Sequence, residues 1–388
     1  FFEEQGIEVI SLLSLNDIPE TGGVSSYGTT SAAESLSAPK SSFTVQWRFE
    51  SNDPVFFHVL PKSAPCIDAD HVYFGSDNGT FWALNKTDGS VAWKYKTLFG
   101  TANKKRIFSS PAVADTTVYF GAYDGNFYAL DTLNGSVRWI YREADWIGSS
   151  PCVAPDLGVV FIGLEFGLWN KQGGIAALDM KTGEKRWWYQ DNSLTHSSPA
   201  YSKRHALVVV GSSSGTVHAF DARTGKHRWD VKTNGAVRAG FAFDEKRGYV
   251  CFGSEDGFIY AVSVRDGAIV HKIESLEPLY STPLVAGDRL YMGGLDKRML
   301  CIDLGSGSVV WQSWTHARIF SSPTLIGDAI FFGSNDGRLY KLDAMTGKEI
   351  AYFQATERIV NKIAYDPETK RIFLPTYANE IYCLTENT

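Results

Sequence analysis

The sequence predicts an all-β fold, an eight-bladed β-propeller of four-stranded antiparallel blades, and three observations support this prediction. A unit of roughly 42 residues recurs along the 388-residue chain. Each unit contains four short strand-like segments separated by turn signals. Finally, the N-terminal part of the repeat region carries a lone strand that the last unit lacks, so the two ends can close a ring.

The repeat is clearest in IFSSPAVADTTVYFGAYDGNFYALDTLNGSVRWIYRE, which starts at Ile107 and ends at Glu143. Its segments SSPAV, VYFG, FYALD and VRWIY predict strands a, b, c and d. Asp-Gly or Asn-Gly dipeptides between b and c, and Thr-Gly or Asn-Gly between c and d, are typical of tight hairpins. Equivalent positions at the start of strand a are Pro65, Pro111, Pro151, Pro199, Phe241, Pro283, Pro323 and Ile363. They are roughly 40 to 48 residues apart, a spacing typical of propeller blades.

The two ends of the repeat region predict how the ring closes. TVQWRFE, Thr44 to Glu50, has the pattern of a strand d, but no strand a, b or c precedes it. The last unit ends at EIYCLTENT and lacks a strand d. We therefore expect the N-terminal strand to complete the last blade, which leaves only short, protected sheet edges. The propeller would then cover residues 43–388.

The repeated pattern VYFGSxDGxxYALDxxTGxxxW resembles the pyrroloquinoline-quinone-type (PQQ-like) repeat of quinoprotein alcohol dehydrogenases and of the outer-membrane β-barrel assembly lipoprotein. The resemblance implies that the tryptophan of strand d packs between neighbouring blades. Residues that match this position are Trp47, Trp93, Trp139, Trp187, Trp229 and Trp311. His271 and Ala351 replace it in two blades, where we expect looser junctions.

The N-terminal residues differ in composition from the repeats. Residues 1–19 contain a helix-end pattern and then an apolar segment, which predicts a docking segment or the remnant of an upstream α/β domain. A flexible tail is the alternative. Residues 20–42 are rich in Ser, Gly and Thr and predict a flexible linker. Because the chain begins at Phe1 and not at Met, the propeller could be the C-terminal part of a larger protein.

Charge, hydropathy and cysteine usage narrow the function classes. A formal net charge of −6 gives no reason to expect nucleic-acid binding. No run approaches the roughly 18 apolar residues of a membrane span. The five cysteines show no CxxC spacing and lie in apolar, strand-like segments: Cys66, Cys152, Cys251, Cys301 and Cys383. This pattern predicts reduced, buried thiols and a cytoplasmic location, with the periplasm as the alternative.

One face of the propeller carries the irregular d–a and b–c loops, whereas the c–d turns are nearly uniform, so we expect function on the irregular face. Segments just before strand a should circle the mouth of the central channel. Candidate ligand-binding residues there are His58, Arg106, Phe108, Trp146, His196, Arg238, Tyr280, Arg318, Phe320 and Arg358. With the flanking Lys104, Lys105 and Lys362, they predict a positive funnel for a phosphate, a carboxylate or an acidic peptide.

The alternative is that the funnel residues form a solvated rim paired with acidic neighbours. Carboxylates available for such pairing are Glu143, Asp145, Glu165, Asp191, Glu277 and Glu357. The aspartates repeated in the turns are explained by turn chemistry and predict no calcium site.

No motif for a nucleophile, a phosphate loop or a zinc protease is present, so we expect no catalytic residue, metal or cofactor. For a quinoprotein dehydrogenase the resemblance implies a vicinal Cys pair, a Glu/Asn/Asp calcium set with a catalytic Asp, and long insertions. The sequence has no Cys-Cys pair and few insertions. It therefore predicts a non-catalytic module that binds a protein partner or a small anionic ligand. The alternatives are a quinone-dependent oxidoreductase with a site around Trp146, His196 and Arg238, and a periplasmic outer-membrane assembly scaffold.

Overall fold

A computed structural model describes residues 42–51, 63–98, 106–167 and 171–387. Except for Ser42, the predicted docking segment and linker lie outside these residues, as does His58. The described residues form eight four-stranded sheets. Every strand pairs with its neighbour in antiparallel orientation, for example β3 with β4 and β15 with β16 (bounds below). The predicted all-β, eight-bladed propeller is therefore confirmed.

The strands follow the predicted order a, b, c and d within each blade. Their bounds are β1 (Phe43–Glu50); in blade 1 β2 (Cys66–Ile67), β3 (His71–Gly75), β4 (Thr80–Asn85) and β5 (Val91–Lys96); in blade 2 β6 (Ala112–Ala114), β7 (Thr117–Gly121), β8 (Phe127–Asp131) and β9 (Val137–Tyr141); in blade 3 β10 (Cys152–Ala154), β11 (Val159–Phe166), β12 (Gln172–Asp179) and β13 (Lys185–Asp191); in blade 4 β14 (Ala200–Ser202), β15 (Leu207–Gly211), β16 (Thr216–Asp221) and β17 (His227–Lys232); in blade 5 β18 (Ala242–Asp244), β19 (Tyr249–Gly253), β20 (Phe258–Ser263) and β21 (Ile269–Glu274); in blade 6 β22 (Leu284–Ala286), β23 (Arg289–Gly293), β24 (Arg298–Asp303) and β25 (Val309–Trp314); in blade 7 β26 (Thr324–Ile326), β27 (Ala329–Gly333), β28 (Arg338–Asp343) and β29 (Glu349–Gln354); in blade 8 β30 (Ala364–Asp366), β31 (Arg371–Pro375) and β32 (Glu380–Glu386).

The ring closes as the chain ends predict. Strand β1 is the outermost strand of blade 8, in the order β1-β32-β31-β30. In the register of this pair, Trp47 lies opposite Cys383 and Arg48 opposite Tyr382. The Arg48 guanidinium forms an ion pair with Glu380 and lies 5.1 Å from the centre of the Tyr382 ring. Residues from the two ends of the described chain thus share one sheet.

The hydrophobic core lies between the blades, because strands b and c are buried on both faces. In β7, for example, all five residues are buried, as expected for a strand covered by a neighbouring sheet on each side. Aromatic rings then stack from one blade to the next, as Phe81 and Phe120 do at 3.9 Å. Strand d alternates between exposed and buried positions, so Trp139 is buried and Arg138 exposed. At the centre, the short a strands of neighbouring blades contact one another.

The strand-d tryptophans join neighbouring blades, as the resemblance implies. Each indole Nε1 donates a hydrogen bond of 2.9 to 3.2 Å to a carbonyl oxygen at the end of strand c of the next blade. The donors are Trp47, Trp93, Trp139, Trp187, Trp229 and Trp311. The indole also covers the glycine of the next c–d turn. At Gly135, with φ +71°, an added Cβ would lie 2.5 Å from the Trp93 ring.

The two junctions without tryptophan do not simply lose this contact. His271 Nε2 donates to the Leu304 carbonyl oxygen at 3.0 Å, and its ring covers Gly307 as an indole would. These contacts match those of the tryptophan junctions, so they do not support the looser junction expected at His271. Beside Ala351, the buried Phe43 packs against two aromatic rings of blade 7.

All five cysteines have free thiols. Burial raises their pKa, for Cys66 and Cys383 to about 11, so the neutral thiol predominates near neutral pH. Three of them, Cys251, Cys301 and Cys383, are fully buried, and the other two are partly buried. Within the described ranges, no helix has the length and apolar character needed to cross a membrane.

Candidate functional site

The residues at one equivalent position just before strand a form what we call the first ring of the predicted mouth, and a backbone hydrogen bond fixes the position of each one that the structure describes, which leaves out His58. In blade 2 the Arg106 carbonyl oxygen accepts from the Tyr123 N–H at 2.9 Å, and in blade 8 Arg358 accepts from Tyr377 at 2.8 Å. The same bond, at 2.8 to 3.4 Å, recurs in the pairs Trp146–Glu165, Leu194–Ser213, Ala236–Glu255, Pro278–Leu295 and Arg318–Asn335. These seven residues are therefore equivalent, and they lie where the d–a connection meets the b–c turn.

A ladder of hydroxyl groups links the blades below the mouth, and the sequence analysis did not identify it. The Ser or Thr before the proline of five SSP or STP motifs accepts a hydrogen bond from the backbone N–H of the equivalent residue one blade earlier, at 2.8 to 3.0 Å. The accepting hydroxyls belong to Ser110, Ser150, Ser198, Thr282 and Ser322. The repeated SSP motif was the available signal. The ladder places this position on the wall of the central channel in every blade where it forms.

Lys362 occupies the ladder position in blade 8, where other blades have Ser, Thr, Gly or Ala. Its side chain is exposed to solvent, yet the surrounding protein lowers its pKa by desolvation. Both findings fit an ammonium group in a water-filled channel enclosed by protein. No described carboxylate contributes to its pKa or forms an ion pair with it.

Aromatic residues shape one side of the mouth. Phe320, Val360 and Tyr377 form a buried cluster, and the rings of Tyr280 and Phe320 are 5.6 Å apart. On blade 2, Phe108 is 9% exposed and makes an edge contact with the ring of Tyr123. The two phenylalanines of the predicted site are therefore packing residues with little surface to offer a ligand.

Several polar residues of the predicted site have carboxylate partners. Nδ1 of His196 lies 3.0 Å from the buried Glu165, and Nε of Arg238 donates to Glu255 at 2.6 Å. The pKa of Tyr280 is raised to about 12 by burial and by the neighbouring Glu255. Glu165 lies near the end of strand b in blade 3, and Glu255 lies in the b–c turn of blade 5; the sequence analysis did not identify Glu255.

Two further residues of the predicted site, Arg358 and Trp146, also have partners. Arg358 stacks 4.3 Å from the centre of the Tyr377 ring and has Glu357 at 3.7 Å. Trp146 is half-buried and packs against Gly167. Glu143, one of the acids predicted to neutralise the rim, instead pairs with Lys185.

Arg106 and Arg318 form no ion pair within the described part of the chain. The Nε atom of Arg106 is buried without a hydrogen-bond acceptor there, whereas the Arg318 side chain is exposed. Burial and the charge of Glu165 raise the pKa of Tyr123, while the charges of Arg238 and Arg106 oppose this rise. Charged side chains from blades 2, 3 and 5 therefore all act on the pKa of this one phenol.

Among the residues that the structure describes, the carboxylates at the mouth do not form the calcium set that the dehydrogenase resemblance implies. Calcium takes six to eight oxygen ligands, but Glu165 and Glu255 lie on separate blades and each faces a basic group. In the described ranges, the one group of three His, Cys, Asp or Glu residues able to hold a metal ion lies in strands c and d of blade 4.

The chain was compared with known families and structures. The profile of the family described as "Outer membrane protein assembly factor BamB" matches residues 40–210 and 213–384. No curated protein sequence matches significantly. Among solved structures, BamB from Moraxella catarrhalis is 17% identical, with a TM-score of 0.68 over 88% of this chain and 97% of that chain. The computationally designed Ika8 protein is 15% identical, with a TM-score of 0.72 over 88% and 99%.

A dehydrogenase shares the same architecture. The quinohemoprotein alcohol dehydrogenase from Comamonas testosteroni is 14% identical, with a TM-score of 0.73 over 89% of this chain and 77% of that chain. At such identities the structural likeness establishes the fold alone. The family profile covers most of the chain, so this protein belongs to the family of PQQ-like propellers whose description is "Outer membrane protein assembly factor BamB".

Proposed function

We propose that this propeller is a non-catalytic binding module whose channel mouth holds a carboxylate-bearing ligand. The observation that carries this proposal is a set of three cationic side chains, Arg106, Arg318 and Lys362, none of which pairs with a described carboxylate. They come from blades 2, 7 and 8, which lie on one side of the ring with blade 1 between them. A rigid scaffold that holds unpaired cations in place reduces the ordering cost of binding an anion.

Each cation gains from an anionic ligand. A carboxylate oxygen would give the buried Nε of Arg106 the acceptor it lacks, which removes the cost of an unsatisfied buried donor. An anion beside Lys362 would favour its charged form and offset the desolvation that lowers its pKa. Arg238 and His196, which already face carboxylates, would serve mainly to hold the mouth in shape.

The family tie supports a binding role. The family description and one solved relative name an assembly factor, whereas the described carboxylates at the mouth do not form the calcium set of the dehydrogenases. We also propose a cytoplasmic location, supported by the five free thiols. The ligand would then be a small polycarboxylate or an acidic segment of a protein partner, which share the same chemistry.

The test is fluorescence anisotropy with a labelled oligoglutamate peptide, with unlabelled citrate as the competitor. Arg106→Gln and Lys362→Gln should each weaken peptide binding about tenfold, because hydrogen bonds to charged groups contribute about 1.5–3 kcal/mol. Lys181→Gln and Lys226→Gln, at exposed c–d turns, change the net charge equally and should leave affinity unchanged.

Three results would overturn the proposal. They are no measurable binding by the wild type, equal affinities in the mouth and turn variants, and an absorbing complex with the quinone that oxidises an alcohol in the presence of a dye. Competition by citrate would indicate a small ligand. Peptide binding that citrate does not displace would indicate a protein segment.

A further inference from the structure

Blade 4 carries a second group of convergent polar side chains, which lies on strands c and d and not on the loops that form the mouth. His218 lies on β16, and His227 and Asp230 lie on β17; one ligand atom from each lies within 4.8 Å of the others. Asp230 Oδ1 is 2.7 Å from His218 Nδ1 and also 2.7 Å from His227 Nε2. We propose that these three residues form a binding site for a zinc-class divalent metal ion.

A β-bulge brings the two residues of β17 to the same side. Residues three apart on a regular strand point to opposite faces. Here the pairing passes from Ala219 opposite Trp229 to Phe220 opposite His227, so Arg228 is the extra residue. The bulge places His227 next to Asp230, which lies directly opposite His218 in the register.

The other blades show that this combination is not a product of the repeat. Each of them has the same bulge between strands c and d at the equivalent point. In blade 1 the three positions hold Trp82, Val91 and Lys94, and no other blade has a histidine at any of them. Only blade 4 therefore combines two imidazoles and a carboxylate on this scaffold.

His218 has a carboxylate facing each ring nitrogen. Asp191 Oδ2, from the end of β13 in blade 3, lies 3.4 Å from Nε2, and Asp230 lies on the Nδ1 side. A neutral imidazole has a single N–H and can donate to only one of them. If Nε2–H faces Asp191, the Nδ1 lone pair and the Asp230 oxygen face each other, and either a metal ion or a second proton on the ring must separate them. A carboxylate behind a histidine ligand is also the usual outer shell of a protein metal site.

The surroundings hold the ligands in place and leave an entry path. His218 is 5% exposed and contacts the Tyr189 ring at 5.2 Å, and the His227 ring lies 5.8 Å from Phe220. The side chains of His227 and Asp230 are 43% and 45% exposed. Tetrahedral ligands at zinc distances lie about 3.3 Å apart, so the exposed Asp230 carboxylate, whose Oδ1 is 2.7 Å from each imidazole nitrogen, must move away from both rings by about half an ångström. Two imidazoles and one carboxylate leave a fourth position for water.

The test uses tag-free protein stripped with EDTA and titrated calorimetrically with Zn²⁺. We expect one Zn²⁺ per chain, and intense visible absorption when Co²⁺ replaces it in a tetrahedral site. His227→Ala and Asp230→Asn alter exposed side chains and should weaken Zn²⁺ binding at least about tenfold. Asp191→Asn should weaken it about tenfold through His218 alone.

His205→Ala is the matched control, since His205 belongs to the same blade and faces Glu245 at 3.4 Å. It should bind Zn²⁺ as the wild type does. Wild-type protein without stoichiometric Zn²⁺ binding would overturn the proposal and leave a protonated ion-pair cluster. The metal site is equally refuted if His227→Ala and Asp230→Asn bind Zn²⁺ as tightly as His205→Ala.

Discussion

Replacing Phe43 with alanine tests whether the N-terminal strand holds the ring closed. Phe43 is only 4% exposed, and its ring makes edge contacts with Phe331 at 6.4 Å and Phe353 at 6.3 Å. It thus fills the junction between blades 7 and 8, where Ala351 leaves no indole. Truncating a buried phenylalanine to alanine costs about 3–5 kcal/mol in protein cores. We expect Phe43→Ala to lower the free energy of unfolding by about 3–4 kcal/mol.

The assay is urea unfolding followed by tryptophan fluorescence. Val45→Ala is the control, because Val45 belongs to the same strand but is 43% exposed; it should cost about 0.5 kcal/mol. Phe43→Leu restores much of the apolar volume and should recover about half of the lost stability. If Phe43→Ala falls within about 1 kcal/mol of Val45→Ala, β1 does not stabilise the ring as we argue.

Two further predictions concern other parts of the ring. In urea unfolding, Gly135→Ala should lower the free energy of unfolding by about 2–4 kcal/mol, because the added Cβ meets the Trp93 indole. Gly287 also has a positive φ, +58°, but no atom lies within 4 Å of an added Cβ, so Gly287→Ala should cost only about 1 kcal/mol. Equal costs for the two variants would contradict this prediction. Burial alone would lower the pKa of His218, but two carboxylates raise it overall. The imidazolium therefore stabilises the metal-free fold below about pH 6.5, and this contribution is lost as the pH rises through the raised pKa. The stability difference between wild type and His218→Gln, measured in EDTA, should narrow as the pH rises above about 6.5. A difference that does not change with pH would refute this prediction.

The architecture could be predicted from sequence because each determinant is local and repeated. The alternation in FYALD, the Asn-Gly turn at Gly135 and the indole of Trp139 each specify one part of a blade. Because the unit recurs eight times, a strand that is ambiguous in one unit can be assigned from the others. Closure was equally accessible, since the unpaired strand pattern Thr44 to Glu50 has only one missing partner in the whole repeat. The structure adds the bulge that precedes each tryptophan, which a period of two does not reveal.

The backbone positions at the mouth could also be predicted, but the side-chain partners could not. Arg238 was expected to be available to a ligand, and the structure pairs it with Glu255, a residue 17 positions away on the neighbouring b–c turn. The distance between two loops of one blade depends on the twist of its sheet, which no local pattern encodes. Arg106 was predicted in the same way and has no such partner among the described residues; it lies two positions earlier in its blade than Arg238 does, and the b–c turn that it meets holds Tyr123 where blade 5 has Glu255.

Departures from the repeat mark both sites that we propose. The strand-c position of His218 holds an apolar or aromatic residue in the other blades, for example Tyr128, Tyr260 and Tyr340. Burying a histidine between two carboxylates costs desolvation that an aromatic residue avoids. Lys362 replaces a hydroxyl in the channel ladder at a similar cost, since its ammonium is desolvated without a described counter-ion. A bound metal cation would offset this cost at His218, and a bound anion would offset it at Lys362.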